Sequence, residues 1–185
     1  MTLRGRAIAL TAALGWSLAL QTVAASAPQP MSAQSNLEYS VKANYLVRFA
    51  AFVDWPAGAF ANPQSPVVIC VIGRDPFGQV LDRAAASQTA YGRSLSVRRP
   101  TTPEAAAACH IYYVGQGGAA IATTLEGRPG QLSVTDAVVA PRRGMIHFVV
   151  SDARVRFHVD QGAAARARLS LSSRLLNLAL SVQGA

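Results

Sequence analysis

The sequence predicts an α/β fold, a single-domain sandwich whose largely parallel central sheet is flanked by helices and followed by a C-terminal β-hairpin and helix. Three observations point there. Short β-branched apolar runs alternate with helix-forming stretches from residue 66 to residue 136, the pattern of strands joined by crossover helices. Two further apolar runs, "MIHFVV" and "VRFHVD", flank a short polar turn, the pattern of a hairpin. The chain has 185 residues, and what remains after its leader suits one core.

The leader comes first. Arg4 and Arg6 precede an almost unbroken apolar run from Ala7 to Leu20, and Val23-Ala24-Ala25 places small side chains where a signal peptidase inspects the chain. Residues 1–25 are expected to be a secretory signal peptide cut after Ala25, with an uncleaved, membrane-anchored form as the alternative. "SAPQPMSAQSN", residues 26–36, reads as a disordered lead-in of small and polar residues, which leaves 37–185 as the folded domain.

Within that domain Val41, Tyr45, Phe49 and Phe52 recur at helical spacing, which predicts an amphipathic helix starting near Asn36 or Glu38. Trp55-Pro56 ends it, because a proline disfavours helical geometry in the residue before it. "SPVVICVIG" is a continuous β-branched run, the form of a strand covered on both faces. "DPFGQVLDRAAAS" follows as a helix with Asp75 as N-cap and Pro76 in its first turn. "SLSVRR" is a strand, "TTPEAAAA" a helix whose Thr101 and Glu104 have capping-box spacing, and "CHIYYV" a strand. "GGAAIATTLEG" is the next helix and "QLSVTD" the next strand.

In the hairpin, a two-residue turn at Asp152-Ala153 pairs Val150 with Val155, Phe148 with Phe157 and Ile146 with Val159 on one face. The same register sets His147 opposite His158 on the other face. Two histidines without a third ligand make a poor zinc site, so no metal is assigned. His110 is read in the same way, as a packed histidine. At the end, Leu171, Leu175, Leu178 and Val182 form an apolar stripe for a last helix capped by Ser170 or Ser172.

One motif raises a specific chemistry. Gly115, Gly117 and Ala120 are spaced G-x-G-x-x-A between a strand and a helix, and Asp136 closes a later strand, the parts of a dinucleotide site. The fingerprint normally belongs to the first βαβ unit, whereas two strands precede it here. The glycines are therefore read as a loop that starts the next helix, and no cofactor is assigned.

Charge and cysteines bound the rest. Of 17 basic residues, two leave with the leader, so 15 face 9 acidic residues and the net charge falls from +8 to +6. Arg98-Arg99 and Arg142-Arg143 are isolated pairs without interleaved aromatics, which argues against nucleic acid as a partner. Cys70 and Cys109 are the two cysteines. In an oxidising compartment they are most simply one disulfide, with a reactive thiol pair as the alternative and no C-x-x-C to support it.

Taken in order, "YLVRFAAFVDWP", "VVICVIGRDPFG", "GRSLSVRR", "CHIYYV", "LSVTD", "GMIHFV", "VRFHVD" and "LSLSSRLLNLA" resemble the pattern of the YfiR-like periplasmic proteins. The resemblance spans nearly the whole expected mature chain. It implies a small periplasmic α/β domain, often a homodimer, that binds and represses the periplasmic sensor domain of an inner-membrane diguanylate cyclase of the YfiN type. An outer-membrane lipoprotein, YfiB, sequesters such repressors, so that cyclic-di-GMP and biofilm formation rise. Cys70 and Cys109 fall on cysteines that form a structural disulfide in the family. A second pair found in some members is replaced here by Gly144 and Ser151.

Two functions follow as expectations. One is a regulatory binding protein with no catalysis, since G-x-S-x-G and H-E-x-x-H motifs are absent from the sequence. Its partner-facing residues are expected around Gln161, Ala165 and Arg168, on the exposed side of the penultimate helix. The other is a periplasmic small-ligand binder in which the loops after Gly73, Arg99 and Gly115 hold a metabolite, with Arg74, Arg98 and Arg99 suited to an anion.

Overall fold

The computed structural model describes residues 33–139 and 143–184. The expected signal peptide and the lead-in as far as residue 32 lie outside the described residues. Helix α1 (Ala33–Phe49) starts three residues before Asn36, so residues 33–36, expected in the lead-in, are its first turn. Ala33 and Gln34 are favourable helix formers, and the Ser40 hydroxyl donates to the Asn36 carbonyl at 2.7 Å one turn on. The buried stripe is also rotated from the expected one. Lys42, Ala43, Leu46, Val47 and Ala50 are buried, while Val41 stands 36% exposed at the edge. Phe49 is buried as expected, and a short 3-10 turn at Ala50–Phe52 carries the chain into β1 (Val53–Asp54).

Strand β2 (Val67–Ile72) is buried at all six positions, as its unbroken apolar run requires. Helix α2 (Gln79–Ala86) begins later than expected. Asp75 does not cap it; its carboxylate accepts from the Phe77 N–H at 2.7 Å in a local turn, and Gly78 at φ +50° breaks helical geometry before Gln79. Strands β3 (Thr89–Ala90) and β4 (Arg93–Arg98) form a tight antiparallel pair. Helix α3 (Pro103–Ala106) is capped by Thr102 rather than Thr101, because Pro103 then occupies the first turn where no N–H is needed. Strand β5 (Ile111–Val114), helix α4 (Ala119–Leu125) and strand β6 (Leu132–Asp136) follow in the expected order.

Strands β7 (Ile146–Ser151) and β8 (Arg154–Asp160) pair antiparallel in the expected register, from Ile146 with Val159 to Val150 with Val155. Asp152 and Ala153 both lie at positive φ, the geometry that matches a two-residue turn to strand twist. Helix α5 (Gln161–Arg166) is capped by Asp160, whose carboxylate accepts from Ala163. Strand β9 (Ser170–Leu171) pairs with β1, and helix α6 (Ser173–Leu176) is capped by Ser172. The expected long last helix stops there. Leu178 is exposed and Val182 lies in strand β10 (Ser181–Gln183), which adds parallel to β8.

Among the described residues the main sheet has the order β10-β8-β7-β6-β5-β2-β4-β3, and β4, β2, β5, β6 and β7 run parallel. One face packs on α1 around Phe49, Phe148 and Phe157, whose rings lie 5.4 to 5.8 Å from Phe49. Each such ring removed from water contributes about 2 kcal/mol. The opposite face of β2 and β5 forms a second, smaller core with α4 and Ala106 of α3, around Cys70, Ile72, Tyr112 and Leu125. No helix of the described residues is long and apolar enough to cross a membrane.

Candidate functional site

The disulfide region gathers side chains at the start of β5. Cys70 lies in β2 opposite Tyr112, and Cys109, just before β5, is bonded to it with Cα atoms 5.8 Å apart. The cysteines are 0% and 3% exposed, which shields the bond from a redox partner and makes it a brace. His110 accepts from the Val68 N–H at 3.0 Å through Nδ1, so Nε2 carries the proton that it donates to the Ala59 carbonyl at 2.9 Å. Burial pushes the His110 pKa down, and the neutral ring stacks on Phe60 at 4.4 Å. Arg93 lies 3.9 Å from the centre of the Phe60 ring and donates to the carbonyls of Asn62, Pro63 and Ser65. Gln131 donates to the carbonyls of Ala106, Ala107 and Cys109. The loop between β1 and β2 is thus tied to the sheet by side chains.

At the opposite edge the glycines of the G-x-G-x-x-A stretch serve a backbone crossing. A Cβ on Gly115 would sit 2.1 Å from the Arg74 carbonyl oxygen, and one on Gly118 would sit 2.4 Å from that of Ile72. The Gly115 N–H donates to Ile72 at 2.8 Å, and the Arg74 N–H donates to Gln116 at 2.9 Å. Gly117, the second glycine of the motif, stands at φ +80° with open space beside it and serves the turn, while the chain after β2 packs on its neighbours Gly115 and Gly118. Asp136 is equally engaged, because its side chain is fully buried against Lys42 at 2.5 Å and Tyr113 at 3.2 Å, and its second oxygen accepts from Val138. Lys42 also pairs with Glu38 one turn back. Burial alone would lower the Lys42 pKa; hydrogen bonds to Asp136 and Glu38 outweigh it and hold the ammonium charged. Burial, then the Asp136 charge, push the Tyr113 phenol up.

Composition and spacing missed this ion pair. The available signal was Glu38 four residues before Lys42, the one lysine of the sequence, set beside Ala43 and Leu46 at core spacing.

His147 and His158 face each other as expected, with ring centres 6.5 Å apart. Each Nδ1 is engaged by a hydroxyl, that of Thr135 at 2.8 Å and that of Ser181 at 2.6 Å, and burial followed by Arg143 lowers both pKa values. Among the described residues no group of three potential metal ligands forms. Arg99, expected to suit an anion, is committed to Asp75, Asp82 and the Gly78 carbonyl. Gln161 is half-buried and Ala165 exposed on α5, while Arg168 lies beyond the helix at φ +58°. A separate groove of about 600 Å³ between α1 and the hairpin exposes Leu37, Val41, Val150 and Leu178, beside Arg154 and Arg156.

A model of the YfiR/HmsC-like family matches residues 39–180. The chain belongs to that family. Among curated proteins none matches it. The matched span of this YfiR/HmsC-like chain contains α1 from Tyr39 onward, the disulfide, the glycine crossing and the hairpin. A buried disulfide of this kind suits an oxidising compartment.

Proposed function

We propose that the protein is a periplasmic regulator without catalysis, which binds the periplasmic sensor domain of an inner-membrane diguanylate cyclase and holds it inactive. Cyclic-di-GMP and biofilm formation fall as a result. The observation that carries this reading is the family match across residues 39–180. A homodimer, and sequestration of the repressor by an outer-membrane lipoprotein, belong to the same proposal, and no cofactor is required.

Two surfaces support binding. The groove beside the hairpin keeps Leu37 67%, Val150 50% and Leu178 54% exposed, and apolar side chains gathered in this way mark interaction sites. Gln161, Ala165 and Arg168 form the second candidate, around the end of α5. A few buried anchors would carry most of the binding energy.

The test compares cellular cyclic-di-GMP in wild type, in a strain lacking the gene, and in a strain carrying Val150→Asp with Leu178→Asp. The deletion is expected to raise cyclic-di-GMP, and the double variant to raise it while the protein accumulates normally. An unchanged level in the deletion strain overturns the reading.

A further inference from the structure

We propose that the cavity beside the disulfide binds a small phosphomonoester through Arg98 and Arg128. This goes beyond the regulatory reading and does not depend on it. The cavity has a volume of about 610 Å³, and its lining includes Phe60, Pro66, Arg98, Cys109, Arg128 and Gln131. That is a size typical of small-molecule sites and larger than inorganic phosphate needs.

Charge sets the ligand's sign. Among the lining residues no carboxylate occurs, and His110 is held neutral by burial, so Arg98 and Arg128 line the cavity without a counter-charge in its walls. Neither forms an ion pair among the described residues, in contrast to Arg99, which binds both Asp75 and Asp82. Arg128 donates through Nε to the Thr124 carbonyl at 3.1 Å, which steadies the base of its fork and leaves the terminal amino groups. Glu104 is held below the usual carboxylate range by backbone and Thr102 hydrogen bonds, with Arg128 contributing last, and it does not line the cavity.

Geometry narrows the class. Arg98 comes from the end of β4 and Arg128 from the loop after α4, so the two residues line the cavity from different elements. A tetrahedral dianion offers three oxygens to two such forks, whereas a single carboxylate offers two in one plane. The remaining walls combine apolar Phe60, Pro66 and Ala107 with polar Ser65 and Gln131, whose buried Oε1 has no hydrogen-bond partner among the described residues, and this mixture suits the hydroxylated organic body of an ester such as glycerol phosphate. The site is also preformed. The disulfide fixes Cys109, Gln131 fixes Ala106 to Cys109, and His110 fixes Ala59 and Val68, so little ordering opposes binding.

The test uses protein purified from the full-length gene and isothermal titration at low ionic strength, where screening is weak. The probes are glycerol phosphate, inorganic phosphate and succinate. Saturable one-site binding of glycerol phosphate is expected, tighter than that of the other two. Arg98→Gln and Arg128→Gln should each weaken it by about tenfold or more, since each removes a charge-assisted fork. Both residues are exposed, so unliganded melting should be unchanged, and Arg83→Gln on α2 should bind like wild type. Absence of binding, equal binding by the double variant, or equal affinity for succinate or inorganic phosphate overturns the proposal.

Discussion

Lys42 and His110 are both polar side chains buried against the same sheet, one reaching Asp136 from α1 and the other tying Ala59 to Val68 at the start of β5. Their chemistry is opposite. Lys42 is the charge that matches the buried Asp136, and its removal strands that carboxylate in the core, whereas Lys42 keeps Glu38 when Asp136 is lost. His110 is neutral, and the disulfide and Gln131 share its task of holding the surrounding loops. The comparison teaches that the end of the sheet under α1 depends on the single charge of Lys42, while the disulfide end has redundant ties.

The largest expected effect breaks the charged anchor. Lys42→Met should cost roughly 3–5 kcal/mol in urea denaturation, because Asp136 is left unpaired, and Lys42→Met with Asp136→Leu should recover most of it. A single variant as stable as wild type would remove the distinction between the two ends.

Next comes the disulfide. Cys70→Ala with Cys109→Ala opens a loop with a sequence separation of 39 residues and should cost about 4 kcal/mol in the chain-entropy view. Because His110 and Gln131 remain, this variant is still expected to show native-like far-ultraviolet circular dichroism at low temperature. Gly115→Ala is smaller, at about 2–3 kcal/mol, since its Cβ would meet the Arg74 carbonyl and force the crossing apart. Thermal melts of the variant and wild type give the comparison.

The smallest effect is the dependence on pH, and its sign differs between the anchors. Burial depresses the folded-state pKa of His110, so the unfolded chain takes up protons first as pH falls below the ordinary value of 6.5. Stability present above that value is lost as pH falls through the folded pKa. His147 and His158 shift the same way. The raised pKa of Lys42 acts oppositely: its contribution is complete below the ordinary value of 10.5 and is lost as pH rises through the folded one. Urea midpoints should therefore fall between pH 7.5 and pH 5.5, and His110→Gln should flatten that fall. A midpoint rising toward acid would contradict the assignment of a neutral His110.

Much of the fold was legible because its signals are local. The hairpin register follows from alternation and a two-residue turn, and β2 from a continuous β-branched run. The errors arise where tertiary contacts decide. The buried face of α1 turns by one position from the expected stripe because Lys42 pairs with Asp136, 94 residues away in the sequence. The start of α2 moved because Asp75 prefers a turn to Phe77 over a cap. Strands β9 and β10 were missed because they are two and three residues long and exist only through their partners β1 and β8. The candidate binding surfaces were less legible still, since grooves and uncompensated arginines are properties of the folded surface.

The most direct test of the regulatory account measures diguanylate cyclase activity in membranes from a strain lacking the gene, with purified protein added to the periplasmic side. Activity is expected to fall with added protein and to saturate, and Val150→Asp with Leu178→Asp is expected to remove the effect. Activity unchanged by folded, disulfide-bonded protein would contradict the account.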